Sequence, residues 1–214
     1  TLFRSFELYD CATQPRPVQD ELELNTAIGC FNDKMSPGSY AVSLTKHISL
    51  TTSSTANNNT TPDVSLLIEG NQFTVDGQGI YNVRPFNIVT GTVTMQNINI
   101  TGGNIQAFGV YGGGILNAGA LTIRNSAIYT NSAYSQGGGI QNDGTLTVTD
   151  STIRNNTSNS SGGIHNAGIL TVSDSTIRNN DAGDGGGIYN AASGELTVNN
   201  STIYYQFSYN FVSG

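Results

Sequence analysis

The sequence predicts an all-β fold, a parallel β-helix of six or seven coils with a short capping helix on its N-terminal side. Two observations support this prediction. The motifs Gly-Gly-Ile-x-Asn, Leu-Thr-Val or Leu-Thr-Ile, and Ser-Thr-Ile or Ser-Ala-Ile recur in this order four times in residues 113–204. Their period of about 24–26 residues is typical of a solenoid. Apolar and polar residues alternate within each motif, which indicates half-buried strands rather than helices.

Each repeat supplies three apolar positions, and we expect the equivalent positions to stack as three columns. The columns are Ile115, Ile140, Ile164 and Ile188; Leu121, Leu146, Leu170 and Leu196; and Ile128, Ile153, Ile177 and Ile203. Glycine, Asn, Asp and Ser separate the segments and supply turns. The sequence therefore predicts three strands and three turns in each coil. A weaker repeat at residues 93–100 extends the predicted β-helix upstream, over residues 40–214.

A helix is predicted over residues 19–31. Two prolines precede an acidic first turn, and Leu24, Ala27, Ile28 and Phe31 follow at helical spacing. Acidic residues in a first turn are favoured by the helix dipole. The first coil of a solenoid has an open apolar end, so this amphipathic helix is expected to cover it. Residues 11–39 then form a cap, and residues 1–10 an extended segment that could be donated as a strand.

The two cysteines, Cys11 and Cys30, flank much of this cap without the spacing of a metal site. A disulfide is the simplest interpretation, and it indicates an extracellular or cell-surface protein. The alternative is a cytosolic protein with two buried thiols. Numbering that begins at Thr1 without Met suggests a processed N-terminus.

Composition argues against several classes of function. The net charge is −7, and the eight Lys and Arg residues are scattered, so no nucleic-acid partner is expected. No apolar run approaches the ~20 residues that span a bilayer. His47 and His165 lie far from each other in the sequence and from any cysteine motif, so we expect no metal site and no cofactor.

The sequence also resembles a known family. The resemblance rests on Leu24 to Ile28 in the helix, Pro-Gly-Ser-Tyr at residues 37–40, Phe-Thr-Val-Asp-Gly-Gln-Gly at 73–79, Arg-Pro-Phe at 84–86, and the Gly-Gly-Ile-x-Asn coils. It is similar to secreted bacterial β-helix proteins that carry the so-called CSLREA N-terminal region. The coils of this sequence also resemble the repeats of chlamydial polymorphic outer-membrane adhesins. The resemblance implies a right-handed β-helix of the pectin-lyase-like type at the cell surface, in a family of mostly unassigned activity.

A pectin-lyase-like shape raises the possibility of a polysaccharide-cleaving enzyme, which would need converging carboxylates. Asp150 and Asp174 occupy equivalent positions, but Asn97, Asn125 and Asn200 continue their column. We interpret the column as a turn ladder and propose no catalytic residues. A catalytic pair is the alternative.

A second column combines aromatic rings and guanidinium groups, at Tyr129, Arg154, Arg178 and Tyr204. Such a stripe could bind sugars or an acidic partner. The alternative is that each arginine pairs with the aspartate three positions before it, Asp150 or Asp174.

Asparagines form two further groups. Asn117, Asn142, Asn166 and Asn190 follow the first apolar column and predict a ladder of side-chain hydrogen bonds. Possible glycosylation sites precede x-Ser or x-Thr at Asn58, Asn59, Asn99, Asn155, Asn156, Asn159 and Asn200.

The two ends of the chain are apolar and strand-like. The residues concerned are Leu2, Phe3, Phe6 and Leu8 at one end and Tyr205, Phe207, Tyr209 and Phe211 at the other. Two different adhesive ends predict head-to-tail association into a filament. The alternative is a fragment of a longer solenoid. We therefore expect a non-enzymatic extracellular structural or adhesive protein that associates with copies of itself. Glycans or a cell surface are further candidate partners. The alternative function is a carbohydrate-binding or carbohydrate-cleaving β-helix.

Overall fold

The structure is a computed structural model that describes residues 15–204 and 206–208. Within these residues the chain forms a parallel β-helix of about seven turns and one helix. The elements are β1 (Arg16–Val18), α1 (Glu21–Asn32), β2 (Gly38–Leu44), β3 (Ile48–Ser49), β4 (Val64–Glu69), β5 (Thr74–Asp76), β6 (Phe86–Ile88), β7 (Thr92–Gln96), β8 (Asn99–Thr101), β9 (Asn104–Ile105), β10 (Ile115–Asn117), β11 (Ala120–Arg124), β12 (Ala127–Tyr129), β13 (Ser132–Ala133), β14 (Ile140–Asn142), β15 (Thr145–Thr149), β16 (Thr152–Arg154), β17 (Thr157–Ser158), β18 (Ile164–Asn166), β19 (Ile169–Ser173), β20 (Thr176–Arg178), β21 (Asp181–Ala182), β22 (Ile188–Asn190), β23 (Glu195–Asn199), β24 (Thr202–Tyr204) and β25 (Phe207–Ser208).

The strands stack into four parallel sheets that run along the rod. Sheet A has the order β1-β2-β4-β7-β11-β15-β19-β23, and sheet B the order β3-β5-β8-β12-β16-β20-β24. Sheet C is β6-β10-β14-β18-β22, and sheet D is β9-β13-β17-β21-β25. A complete coil visits the sheets in the order A, B, D, C, as β11 to β14 illustrate.

The prediction of three strands per coil was therefore wrong, because sheet D adds a fourth. Its strands are only two residues long, and their second residues, Ile105, Ala133, Ser158 and Ala182, share burial but not chemical character. A two-residue strand shows no alternation, and these residues show no repeated identity. Sequence periodicity therefore could not reveal sheet D.

The three predicted apolar columns are confirmed by the strand register. Ile115 pairs with Ile140, Leu121 with Leu146, and Ile128 with Ile153, and each column continues to β22, β23 or β24. Paired residues on parallel strands lie about 4.8 Å apart across the ladder. The columns face inward and form one continuous apolar core, in which most members are fully buried.

Left-handed backbone conformations turn the chain from sheet A to sheet B. Asn97, Asn125, Asp150, Asp174 and Asn200 occupy equivalent corners with φ between 44° and 54°. Asn and Asp tolerate this conformation better than other residues with a Cβ. The prediction of a turn ladder at Asp150 and Asp174 is confirmed.

The Gly-Gly pairs have a steric cause. They lie where the chain passes from sheet D to sheet C and neighbouring coils touch backbone to backbone. A Cβ on Gly139 would lie 2.7 Å from the carbonyl oxygen of Gly163, which is closer than real Cβ contacts. Repeated glycine at this corner therefore reflects packing between coils.

Side-chain ladders of hydrogen bonds line three corners of the later coils. The predicted ladder is confirmed: each amide nitrogen from Asn117 to Asn166 donates to the amide oxygen of the next member at 2.7 Å. Two more ladders were not predicted. Asn131, Asn156, Asn180 and Gln206 form one, and Ser126, Ser151, Ser175 and Ser201 form the other. In these two ladders each side-chain oxygen accepts from the backbone N–H of the equivalent residue in the preceding coil, which satisfies buried donors at the corners.

Helix α1 covers the N-terminal end of the rod. It begins two residues later than predicted, because Asp20 is the N-cap and accepts a hydrogen bond from the backbone N–H of Glu23 at 2.9 Å. The four predicted apolar residues are buried and join the same core as the strands. Before the helix, β1 pairs with β2, so sheet A begins earlier than residue 40.

A carboxylate joins the helix to the first coil. Glu21 accepts four hydrogen bonds from the backbone N–H groups and hydroxyls of Thr51 and Thr52, at 2.7–3.0 Å. Burial opposes its ionisation, but these hydrogen bonds outweigh burial and hold the pKa of Glu21 below its ordinary value.

The predicted disulfide stays a prediction. Cys11 lies outside the described residues, and the described cysteine, Cys30, is not a free thiol. The predicted extended segment at residues 1–10 also lies outside them. Among the described residues the one helix is α1, whose 12 residues fall short of the ~20 that a membrane-spanning helix needs.

Candidate functional site

The predicted column of aromatic and basic residues exists on the outer face of sheet B. Tyr129 pairs with Arg154, Arg154 with Arg178, and Arg178 with Tyr204. The guanidinium carbon of Arg154 lies 4.3 Å from the centroid of the Tyr129 ring, within the range of a cation–π interaction. The two guanidinium groups thus occupy neighbouring rungs on a half-buried surface.

The alternative pairing of these arginines with aspartates is not formed within the described residues. Asp150 and Asp174 are exposed at the corner between sheets A and B, and Asp174 accepts a hydrogen bond from the amide of Asn200. Both aspartates adopt the left-handed conformation of this corner, with φ of 50°. No cluster of three His, Cys, Asp or Glu side chains that could hold a metal occurs in residues 15–204 and 206–208.

A buried polar pair lies on the outer face of sheet C, at the paired residues Gln141 and His165. The amide oxygen of Gln141 and Nδ1 of His165 are buried without a hydrogen-bond partner. The His165 ring stacks on Tyr189, with 5.1 Å between the centroids. Burial lowers the pKa of His165, and the negative charge of Asp143 opposes this shift only in part.

The sequons differ in accessibility. Asn156 is fully buried in a ladder, and the Asn59 amide is buried and donates to the carbonyl of Phe31 at 2.6 Å. Attachment of a glycan to either residue would require removing these amides from the core, so both predictions conflict with the folded structure. Asn58, Asn155, Asn159 and Asn200 are exposed, and Asn99 is half-buried. These remain predictions.

The predicted self-assembly residues are mostly outside the described part. This applies to Leu2, Phe3, Phe6, Leu8, Tyr205, Tyr209 and Phe211. Phe207 is the first residue of β25, which pairs with β21 at the C-terminal end of sheet D.

The sequence analysis missed one group of surface residues, on three neighbouring loops between sheets D and C or their upstream equivalents. We call these residues the aromatic platform: Ile80, Tyr81, Phe108, Val110, Tyr111 and Tyr134. All six are exposed apolar side chains, and the Phe108 and Tyr134 rings meet edge to face with 6.2 Å between their centroids. They lie outside the repeated motifs, so comparing equivalent positions of the repeats did not reveal them.

Comparison with known proteins yields no relative. No family model, curated protein or solved structure matches this chain. The assignment to the class of parallel β-helix proteins therefore rests on the structure itself, and the resemblance to secreted bacterial β-helix proteins stays an expectation.

Proposed function

We propose that this protein is a non-enzymatic structural or adhesive rod of the cell exterior that associates head to tail through its C-terminal coil. The observation that supports this proposal is the exposure of the inner columns at that coil. Leu196, Val198 and Ile203 are 39–43% exposed, whereas most members of the same columns in earlier coils are 0–2% exposed. A second molecule that covers this end would bury them.

The free energy available at this end is appreciable. Fully burying a Val, Leu or Ile side chain is worth about 1.5–3 kcal/mol, and three such side chains are partly exposed here. The outer edges of β23 and β24 also pair with no further strand among the described residues. Unpaired edges of this kind are templates for strand addition.

The N-terminal end has a different surface, because α1 covers it and Pro17 lies in the edge strand β1. Proline cannot donate to a neighbouring strand and protects an edge. The two ends are therefore not self-complementary, and a contact between copies would be heterologous and would propagate. Residues 2–9 of a second copy are the proposed occupant of the open coil, since their sequence is strand-like and precedes β1. The extracellular location rests on the predicted Cys11–Cys30 disulfide.

The test compares two lysine substitutions on one strand. Val198 points into the open coil, whereas its neighbour Thr197 points outward from sheet A. In sedimentation velocity and negative-stain electron microscopy over a concentration series, wild-type protein and Thr197→Lys should form linear polymers. Val198→Lys should remain a folded monomer, because a charge would be buried in the contact.

Two outcomes would contradict this proposal. One is wild-type protein that remains as isolated rods at high concentration, and the other is identical polymerisation of both lysine variants. A chain that lacks residues 1–9 should also remain monomeric with an unchanged circular dichroism spectrum. Added peptide of residues 1–9 should shorten wild-type polymers by occupying open coils.

A further inference from the structure

The aromatic platform exposes several large ring surfaces. Phe108 is 88% exposed and Tyr81 is 65% exposed. The platform is spread over residues 77–85, 106–114 and 134–139, which are loops of three successive coils. Large exposed apolar patches on otherwise polar proteins commonly mark binding surfaces.

Hydrogen bonds between the coils hold these loops in place. Asn82 accepts from the backbone N–H of Gln106 at 3.2 Å through its side chain, and Ser135 accepts from that of Gly109 at 3.2 Å. The amide of Asn104 donates to the carbonyl of Gly79 at 2.8 Å. The three loops are therefore tied to one another rung by rung.

A buried arginine anchors the central loop from below. The guanidinium group of Arg84 donates from Nε to the carbonyl of Gly112 at 2.7 Å and from Nη2 to that of Tyr111 at 2.6 Å. Arg84 is only 9% exposed, so its guanidinium group bonds these carbonyls and does not face the solvent. A binding surface that is held in place before the ligand arrives loses less conformational entropy on binding.

The platform is uncharged although the chain carries a net charge of −7. Apart from the buried Arg84, the three loops contain no Lys, Arg, Asp or Glu. Their exposed or half-exposed polar groups include the tyrosine hydroxyls, Ser135, and the amides of Gln78, Asn82 and Gln106. The amide nitrogens of Gln78 and Gln106 already donate within the rod, which leaves their amide oxygens and the tyrosine hydroxyls for a ligand. Such a surface offers hydrogen bonds and ring faces but no ion pair.

We propose that the aromatic platform binds a linear neutral polysaccharide that runs along the rod axis. The C–H faces of sugar rings pack against aromatic rings, and sugar hydroxyls exchange hydrogen bonds with amides and hydroxyls. Neighbouring coils repeat about every 4.8 Å, so the loops present their side chains as a row suited to a linear chain. The absence of charged side chains matches an uncharged ligand, whereas acidic glycans would need cations.

This inference names a ligand for the adhesive part of the proposed function and rests on that part alone. It does not require head-to-tail association, because the platform lies on the side of the rod. Val198→Lys should therefore bind polysaccharide as well as the wild type does. This variant separates failure of the assembly proposal from failure of the ligand proposal.

Affinity electrophoresis in native gels provides the test, with hydroxyethyl cellulose or soluble β-glucan as neutral probes and polygalacturonate as the acidic comparison. Wild-type protein should be retarded by a neutral probe and not by polygalacturonate. Phe108→Ala and Tyr81→Ala should each weaken retention about tenfold, which corresponds to about 1.4 kcal/mol for a lost ring contact. Phe108→Tyr should retain binding because it keeps the ring.

Leu22→Ala is the control, because Leu22 is 68% exposed on α1 at the N-terminal cap. It should leave retention unchanged. The proposal is overturned if neither neutral probe retards the wild type, or if Phe108→Ala is retarded equally. It is also overturned if Phe108→Ala only reduces lateral association in sedimentation velocity, since the platform would then be a contact between copies.

Discussion

The coils before and after residue 113 close their corners by different means. In the later coils, three side-chain ladders occupy three corners. Upstream, the column of Asn117 continues as Ile88. The ladders of Ser126 and Asn131 begin by accepting hydrogen bonds from the backbone of Ile98 and Gly103, which carry no side-chain polar group. At these three corners the later coils are thus joined by repeated side-chain hydrogen bonds, whereas the equivalent upstream positions are Ile88, Ile98 and Gly103.

The difference shows that one part of a solenoid can keep a regular repeat while another part carries the candidate binding surface. A ladder keeps the same or a similar residue at the same corner of every coil. The later coils also have shorter connections from sheet D to sheet C than the coil at residues 106–114. The earlier coils lack this constraint and have longer loops, two of which carry most of the aromatic platform. The loops that depart from the repeat therefore carry the aromatic platform, whose side chains differ from one loop to the next.

One asparagine upstream of residue 113 occupies the column of the Asn117 ladder but does not take part in the ladder. Asn57 forms a bridge with Ile88, which places it in the same column as the Asn117 ladder. Ile88 interrupts the ladder, and both polar atoms of the Asn57 side chain are buried without a partner. The same residue type in one column is thus satisfied at Asn142 and unsatisfied at Asn57, which allows the comparison to be tested.

The largest effect is expected from Asn142→Leu. The Asn142 amide donates to Asn166 Oδ1 and to the carbonyls of Gly144 and Ile169, and it accepts from Asn117. Leucine would leave these buried groups unpaired, at about 1–3 kcal/mol for each group left without a substitute. We expect the free energy of unfolding in urea to fall by about 3 kcal/mol. The exposed control Asn159→Leu should change it by less than about 0.5 kcal/mol.

Asn57→Leu should have the opposite sign. Removing two unsatisfied buried polar atoms and filling the space with an apolar side chain should raise the free energy of unfolding by about 1–2 kcal/mol. Urea denaturation measures the change. A loss comparable to that of Asn142→Leu would show that Asn57 has a hydrogen-bond partner. Ile88→Asn offers a second check, because its cost should be smaller with Asn57 present than in Asn57→Leu if it reconnects the ladder.

The smallest effect concerns pH and the later coils alone. Burial lowers the pKa of His165, and Asp143 partly opposes it, so the folded state disfavours the protonated imidazole. The unfolded chain binds the proton more readily, and stability should therefore fall as pH drops below about 6.5. Urea midpoints between pH 7.5 and 5.5 should decline in the wild type and decline less in His165→Gln. Equal slopes would contradict the role of His165.

This pH window avoids the carboxylates with shifted pKa values. Hydrogen bonds outweigh burial at Glu21 and Glu69 and hold both pKa values below the ordinary value for glutamate. Their contribution to stability is present above the pKa of the unfolded chain and is lost only at more acidic pH. The difference between wild type and His165→Gln therefore reports on the histidine.

Sequence analysis predicted the columns that carry apolar or polar residues at fixed intervals. Ile153, Leu146 and Asn142 were placed with the correct neighbours, because a parallel register repeats the same residue at the same position. It did not separate Asn155 from Asn156, which are adjacent and chemically identical. The first is exposed at a left-handed turn, and the second is buried in a ladder. Asparagine recurs at the positions equivalent to Asn156, but the path of the backbone at that corner decides that this residue is the buried one.

The sequence by itself determined that the chain coils with a period of about 24–26 residues and which residues form its core. Alternation and repetition depend on the order of residues along the chain, so they can be recognised in the sequence alone. The tertiary structure decided the rest: the fourth sheet, the two hidden ladders, the unsatisfied Asn57 and the assembly of three unrelated loops into one platform. The fourth sheet, the unsatisfied Asn57 and the platform depend on stacking of residues about one coil apart whose identities do not repeat. The residues of the two ladders do repeat, but the path of the backbone at the corners decides which atoms they bond. No local pattern encodes such contacts, which arise only when the coils are laid one upon another.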